Sequence, residues 1–112
     1  MKWNIIFYSE DLQQKIMNLP AGLQANYIHL TQRMEVYGPS LGMPHSRAMG
    51  DGLFELRLKA NEGIARVFYC TLVGYKIVML HSFVKKSQKT PAKELEIARR
   101  RMREVKTNDD TR

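Results

Sequence analysis

The stretch from Gly52 to Pro91 constrains the fold more than any other part of the chain. Its residues Phe54 to Ala60 alternate almost strictly between apolar and polar side chains, which is the period of a half-buried strand. Two further apolar runs follow, and glycines suited to tight turns separate them. The pattern predicts a three-stranded antiparallel meander, after which Thr90-Pro91 marks the start of a helix.

The first turn of the meander decides which residues share a face of the sheet. A two- or four-residue loop within Asn61 to Ile64 is expected to pair Ala60 with Ala65. Lys59 would then lie opposite Arg66. A slip of one residue at this turn would move Arg66 to the other face, so the placement of this arginine depends on the turn.

The second turn, at Val73-Gly74, is expected to pair Thr71 with Lys76 and sets the register of the last strand. The core-facing side chains would then be Leu56, Leu58, Val67, Tyr69, Val78 and Leu80. The opposite face would have an apolar end with Phe68, Cys70, Ile77 and Met79. Its other end would hold a cationic cluster of Arg57, Lys59, Arg66, His81 and Lys85. We therefore expect one face for the core and one divided face.

The residues before the meander predict a strand and two covering helices. Trp3 to Tyr8 is rich in aromatic and β-branched residues, as strands are, and Ser9 suits the N-cap of a helix over Glu10 to about Asn18. Leu19-Pro20 ends that helix. A second helix is predicted from Ala21 to Tyr37, where apolar residues recur every three or four positions.

The segment Ser40 to Asp51 is expected to be a loop, because it is rich in glycine and proline. It carries His45 and Arg47, which belong to no periodic pattern. These two side chains are either solvated or brought onto the cationic face, since the segment leads directly into the meander.

The last helix is predicted to cover the apolar end of the divided face. Its narrow apolar seam consists of Leu95, Ala98, Met102 and Val105. The arginine run from Arg99 to Arg103 either binds nucleic acid directly or forms a solvated face with pairs such as Glu96–Arg100. The sequence thus predicts an α+β fold in a single domain over residues 1–106, followed by a flexible tail at residues 107–112.

The charge of the chain favours a polyanionic partner. The net charge is +7, and it is concentrated in the second half: residues 1–50 hold four basic and three acidic side chains, and residues 51–112 hold fourteen and eight. Nucleic acid is the first candidate for such a partner. No apolar run approaches the roughly 20 residues of a membrane span, and no signal peptide is recognisable.

Cysteine usage fits a reducing cytoplasm, because Cys70 is the only cysteine. Its place in an apolar strand pattern favours a buried, inert thiol over a nucleophile. No metal site and no cofactor are expected.

Three sequence blocks and their order carry a resemblance to a known family. The blocks are Gly52-Leu53-Phe54-Glu55-Leu56-Arg57, Arg66-Val67-Phe68-Tyr69 and Phe83-Val84-Lys85-Lys86-Ser87-Gln88-Lys89-Thr90-Pro91. The chain resembles the RelE/ParE toxin superfamily of type II toxin–antitoxin systems, and within it the phage-derived HigB-like branch. The likeness covers nearly the whole chain.

The resemblance implies a RelE-like fold and a toxin that cleaves messenger RNA, usually on the ribosome. It implies a small antitoxin as partner, commonly a helix-turn-helix protein through which alone operator DNA is bound. It also implies that basic residues on neighbouring strands grip RNA. The positions that match this role are Arg57, Lys59, Arg66, Lys85, Lys86 and Lys89, with His45 and Arg47 as further RNA contacts from the preceding loop.

The cationic face suits RNA cleavage by the 2′-hydroxyl of the RNA itself, without a metal. Arg57 and Arg66 can stabilise the reacting phosphate, because guanidinium groups fork onto its oxygens and stay charged. His81 is the first candidate for acid–base catalysis and Lys85 the second. Two other functions stay open: a ParE-like inhibitor of DNA gyrase, and a nucleic-acid-binding module without catalysis.

Overall fold

The computed structural model describes residues 2–85 and 89–110 of the chain, residue 110 by its backbone alone. The elements in chain order are β1 (Asn4–Phe7), α1 (Glu10–Met17), α2 (Ala21–Tyr37), β2 (Ser46–Gly50), β3 (Leu53–Ala60), β4 (Gly63–Leu72), β5 (Lys76–Lys85) and α3 (Ala92–Asp110). One five-stranded sheet has the order β1-β5-β4-β3-β2, with β1 parallel to β5 and the other pairs antiparallel. This α+β architecture confirms the predicted fold class and is consistent with a RelE-like fold.

Helices α1 and α2 cover one face of the sheet, which we call the two-helix face. The Ser9 side chain caps α1 as expected, since its Oγ accepts a hydrogen bond from the backbone N–H of Leu12 at 3.1 Å. Every second residue of β3 and β4 faces these helices. The fully buried members of this core include Ile16, Leu23, Leu30, Met34, Leu56, Leu58, Val67 and Tyr69. No helix in the described residues is both long and apolar enough to cross a membrane.

The first hairpin of the meander has the shorter of the two expected turns but not the expected pairing. Ala60 pairs with Gly63 across a two-residue turn, so the expected pairing of Ala60 with Ala65 is wrong by two positions. Arg57, and not Lys59, lies directly opposite Arg66. A shift of two residues preserves the side-chain alternation, and Arg66 therefore stays on the face predicted for it.

The second hairpin departs from the expected register by one residue. Leu72 pairs with Lys76 across a three-residue turn in which Tyr75 adopts a left-handed conformation with φ 59°. A slip of one residue exchanges the two faces of a strand. Ile77 and Met79 accordingly pack on the two-helix face, and Val78 and Leu80 on the opposite one, so their expected placements are wrong.

A β-bulge in β5 reverses that exchange before the strand ends. Phe68 pairs with His81 while the next residue, Tyr69, pairs with Met79, so Leu80 is an extra residue in the ladder. Beyond the bulge, His81 and Lys85 lie on the face that the sequence predicted for them. Two departures from the expected register thus cancel.

The segment before the meander contains a strand that the sequence did not predict. Ser46 to Gly50 form the edge strand β2, paired with β3, instead of continuing as a loop. The turn before it is fixed by Ser46, whose Oγ accepts hydrogen bonds from the backbone N–H groups of Leu41 and Gly42 at 2.9 and 3.1 Å. Edge strands lack one row of ladder partners and one packed face, which leaves little periodicity in their sequences.

Helix α3 covers part of the opposite face, which we call the α3 face. Its predicted seam is confirmed: Ala98 and Met102 are buried, with Leu95 and Val105 packed beside them. The strand residues beneath it are Leu53, Phe68, Cys70, Val78, Leu80 and Phe83. Cys70 is buried as expected, and burial raises the pKa of its thiol to about 11.

The C-terminal end of α3 extends further than the sequence suggested. The helix continues through Asp110, so residues 107–110 of the expected tail are helical. A single domain over residues 1–106 with a flexible tail after it stays a prediction.

Candidate nucleic-acid interface

The α3 face is open at one end, where a cleft of about 330 Å³ lies between the sheet, α2 and the segment before β2. The residues that line it are Asn26, Pro44, His45, Arg57, Lys59, Ile64 and Arg66. Four of the seven carry cationic or imidazole side chains, and none of them is acidic. The cleft therefore offers a positively charged concave surface to an anion.

A buried carboxylate lies beneath the arginines of this cleft. Glu55 is completely buried, and its Oε1 is 3.4 Å from the Nε of Arg57 and 3.6 Å from the Nε of Arg66. Its Oε2 accepts a hydrogen bond from the Thr90 hydroxyl at 3.1 Å. We call these four residues the Glu55 cluster. The burial of this carboxylate distinguishes its pairing with Arg57 from a solvated surface ion pair.

Arg66 has hydrogen-bonding capacity to spare. Its side chain is only 8% exposed, and within the described residues its Nε has no hydrogen-bond partner, because 3.6 Å to Glu55 is too long for one. Burial lowers the pKa of Arg66, the carboxylate of Glu55 opposes this, and the charges of Arg57 and Arg47 lower the pKa further. An anion in the cleft would supply a hydrogen-bond acceptor and a compensating negative charge to this guanidinium.

The segment before β2 reaches the cationic face, which was one of the two alternatives for it. The carbonyl of His45 accepts a hydrogen bond from the backbone N–H of Arg57 at 2.8 Å, and this contact fixes His45 at the rim of the cleft. Arg47 is exposed on the neighbouring strand β2. His45 is thus the imidazole that the fold places with the arginines.

Among the remaining predicted lysines, Lys59 lines the same cleft, Lys85 and Lys89 do not line it, and a fourth lies outside the described residues. Lys59 is exposed at the edge of the cleft, and its backbone N–H donates to the Oδ1 of Asn26 at 2.9 Å. Lys85 is half-buried, and burial first, then the charge of Arg66, lowers the pKa of its amine. Lys89 is exposed in the segment before α3. Lys86 lies outside the described residues.

His81 is not brought together with the arginines. It is buried under α3, with its Nε2 2.6 Å from the Oε1 of Glu94. Its ring packs beside Phe83, and a different pocket, lined also by Lys15 and Arg101, borders it. Burial lowers the pKa of His81, and Glu94 opposes this effect. The catalytic role assigned to His81 stays a prediction, and the geometry gives it no support.

The residue that sequence reasoning missed is Glu55. It is the acidic member of the strand positions that face the cationic side, and this isolation among Arg57, Lys59 and Arg66 was a usable signal. A single carboxylate surrounded by cationic side chains is suited to hold them in place. Its partner Thr90 lies far away in sequence, so this contact could not be read from the strand.

Comparison with known proteins gives one family match. Residues 14–103, which extend from within α1 to within α3, match the family described as Phage derived protein Gp49-like (DUF891). No curated protein matches the chain. The matched region contains every residue of the cleft and of the Glu55 cluster.

Proposed function

Because the chain belongs to the phage-derived Gp49-like family, we propose that it is the toxin of a toxin–antitoxin system. This family is associated with toxins of the RelE/HigB type. We further propose that it cleaves messenger RNA on the ribosome and so inhibits translation in the cytoplasm. The observation that carries this proposal is the cleft in which Arg57 and Arg66 stand beside His45 above a buried carboxylate.

The proposed reaction uses the 2′-hydroxyl of the RNA as the nucleophile. It attacks the adjacent phosphodiester, the bond to the 5′-oxygen breaks, and the phosphorus passes through a state with additional negative charge. Arg57 and Arg66 stabilise that charge, because both guanidinium groups line the cleft and stay charged. A low-dielectric wall strengthens this effect, and the burial of Arg66 supplies one.

Proton transfer is assigned to His45 and Lys85. One group must take the proton of the 2′-hydroxyl and another must protonate the leaving 5′-oxygen. His45 lines the cleft, and a neutral imidazole has one ring nitrogen that can accept a proton and one that can donate. The lowered pKa of Lys85 moves its amine toward the range in which it can exchange protons. His81 lies under α3 beside Glu94, which is why we do not assign it this role.

The proposed partners follow from the charge of the cleft and from the family. We assign contacts with the RNA backbone to Lys59, Arg47 and Lys89, and the support is that all three are cationic and exposed. A cognate antitoxin, which we expect to be a helix-turn-helix protein, would neutralise the toxin and carry it to operator DNA. An inhibitor of DNA gyrase would not need a cationic cleft, and the cleft therefore favours the nuclease.

The test is induced expression in bacteria, followed by growth and by mapping of transcript 5′-ends. We expect growth arrest with new 5′-ends for the wild type. In a purified translation reaction, Arg57→Gln should reduce the cleavage rate by about 100-fold, the effect of removing one donor to a developing oxyanion. The matched control is Lys2→Gln, which removes one exposed charge before β1 and should cleave like the wild type.

Two outcomes would contradict the proposal. Growth arrest with unchanged transcript ends would replace the nuclease by an inhibitor of another target, such as gyrase. Expression without arrest and without cleavage in the purified reaction would leave a binding module that lacks catalysis.

A further inference from the structure

We propose that Glu55 is the positioning residue of the cleft and that Thr90 transmits the position of α3 to it. The carboxylate would hold Arg57 and Arg66 with their Nη atoms toward a phosphodiester, although it touches no substrate itself. This inference rests on the proposed function of the same site.

The pairing of β3 with β4 brings the two arginines together. Arg57 and Arg66 are directly opposite each other in the β3–β4 ladder. Like charges at directly opposite positions destabilise an antiparallel pair. A carboxylate between them offsets the repulsion, and the Oε1 of Glu55 lies within 3.6 Å of both Nε atoms. The fold thus holds two guanidinium groups together where they would otherwise separate.

The carboxylate of Glu55 is completely buried. An ionised carboxylate without exposure to water is costly unless charges and hydrogen bonds satisfy it. Glu55 has partners on three separate segments: Arg57 on its own strand, Arg66 on β4 and Thr90 before α3. This costly group lies against the two arginines that line the cleft, where it sets their geometry.

Thr90 connects the buried carboxylate to the start of α3. The Thr90 hydroxyl donates to the second carboxylate oxygen, and Thr90 directly precedes the first turn of the helix. Two further contacts fix α3 on the sheet: Glu94 to His81, and Arg101 to the carbonyl of Leu80 at 2.9 Å. A change in the position of the helix start would therefore reach the arginines through a single hydrogen bond.

The experiment compares Thr90→Val with Thr90→Ser and adds Glu55→Gln. Valine has the shape of threonine without its hydroxyl, and serine keeps the hydroxyl. Thr90 is half-exposed, so both variants at this position should fold. The control is Thr107→Val, which removes an exposed hydroxyl on α3 far along the helix. Cleavage of messenger RNA in the purified translation reaction gives kcat and KM. The side-chain Nε–H signals of Arg57 and Arg66, followed by NMR, report on their geometry without any substrate.

The expected result is a loss in kcat with little change in KM. Thr90→Val should lower kcat about tenfold, the value of one hydrogen bond to a charged group, and Thr90→Ser should restore it. Glu55→Gln should lower kcat about 100-fold, as misplaced groups do at a reacting centre. The Nε–H signals of both arginines should shift in Thr90→Val and Glu55→Gln and stay in place in Thr107→Val.

The outcomes separate this inference from the proposed function. Wild-type protein that leaves RNA intact would end the nuclease proposal, yet shifted arginine signals in Thr90→Val would still support the positioning role. Unchanged signals in both Glu55→Gln and Thr90→Val would overturn the positioning role, whether or not kcat falls. A loss of kcat that serine at position 90 does not restore would overturn the part assigned to the hydroxyl.

Discussion

Two carboxylates on the α3 face form opposite kinds of cluster. Glu55 is fully buried, and its partner Arg57 is 27% exposed at the cleft. Glu94 is 25% exposed on α3, and its partner His81 is only 8% exposed beneath the helix. We call the pair of Glu94 and His81 the Glu94 cluster. In the Glu55 cluster the anion is inside and one cation, Arg57, reaches the surface, while Arg66 is only 8% exposed. In the Glu94 cluster the anion reaches the surface and the imidazole is inside.

The difference indicates which cluster is suited to bind an external anion and which one attaches α3 to the sheet. Arg57 stays partly exposed at the cleft while it pairs with the buried carboxylate, so an external anion could approach it. The Glu94 cluster instead lies among contacts that attach α3: the Tyr8 hydroxyl donates to Glu104, and the guanidinium of Arg101 lies 4.6 Å from the centre of the Tyr8 ring. An imidazole enclosed by such contacts belongs to a junction between helix and sheet.

The largest effect on stability is expected from removing one arginine of the Glu55 cluster. Arg66→Met leaves a fully buried carboxylate with Arg57 as its remaining cation, and should lower the free energy of unfolding by about 3 kcal/mol. Urea denaturation measures it. The double variant Glu55→Leu with Arg66→Met removes the stranded charge and should regain much of the loss. A double variant less stable than the single one would refute this account.

A smaller effect is expected at the Glu94 cluster. Glu94→Gln keeps an acceptor for the Nε2–H of His81 and removes a charge that is partly exposed to water, so the loss should be about 1 kcal/mol. The same urea titration measures it. The exposed Glu96→Gln on the same helix serves as the control. A loss as large as that of Arg66→Met would abolish the distinction between the two clusters.

The smallest effect is a dependence of stability on pH that His81 alone contributes. Burial holds the pKa of His81 below its usual value in the folded chain, with Glu94 opposing and Lys15 and Arg101 adding to the shift. The unfolded chain therefore takes up this proton first as the pH falls below about 6.5, and stability declines there.

The matching variant is His81→Gln, which cannot take up that proton. Unfolding in urea at pH 7.5 and pH 5.5 should show a larger loss for the wild type than for His81→Gln. The other two histidines, His29 and His45, are present in both chains and cancel in the comparison. Equal losses would mean that His81 is not held neutral by its surroundings.

The helices could be read from the sequence because local signals determine them. The range of α2 agrees with its apolar spacing at both ends, and Ser9 begins α1 with a side-chain cap. The seam of α3 is likewise a matter of period. These features depend on residues that are three or four positions apart, which a single sequence contains in full.

The register of the sheet was only partly predictable. The alternation of β3 determined its faces, and the error of two residues at the first turn did no harm to them. The second turn needed a left-handed Tyr75, which its sequence does not signal, and the bulge at Leu80 depends on packing under α3. Sequence alone placed Lys85 on the correct face, because the one-residue slip at the second turn and the bulge at Leu80 cancel each other.

The candidate site was half predictable for the same reason. Arg57, Lys59 and Arg66 followed from strand periodicity, and the cleft joins them. His45 came from a segment without periodicity, and it reaches the cleft through a backbone hydrogen bond to Arg57. Glu55 required knowledge of Thr90, and His81 required knowledge of what α3 would cover. Tertiary contacts decided these three positions.

The bulge at Leu80 also limits how the length of this chain can vary. Loss of Leu80 would restore uniform pairing with β4 and leave Lys85 opposite Ile64, on the face of the arginines. A residue lost between His81 and Val84 has no bulge to absorb it and would turn Lys85 to the two-helix face. Loss of one residue from β5 should therefore be tolerated at Leu80 and not in the part of the strand that follows it.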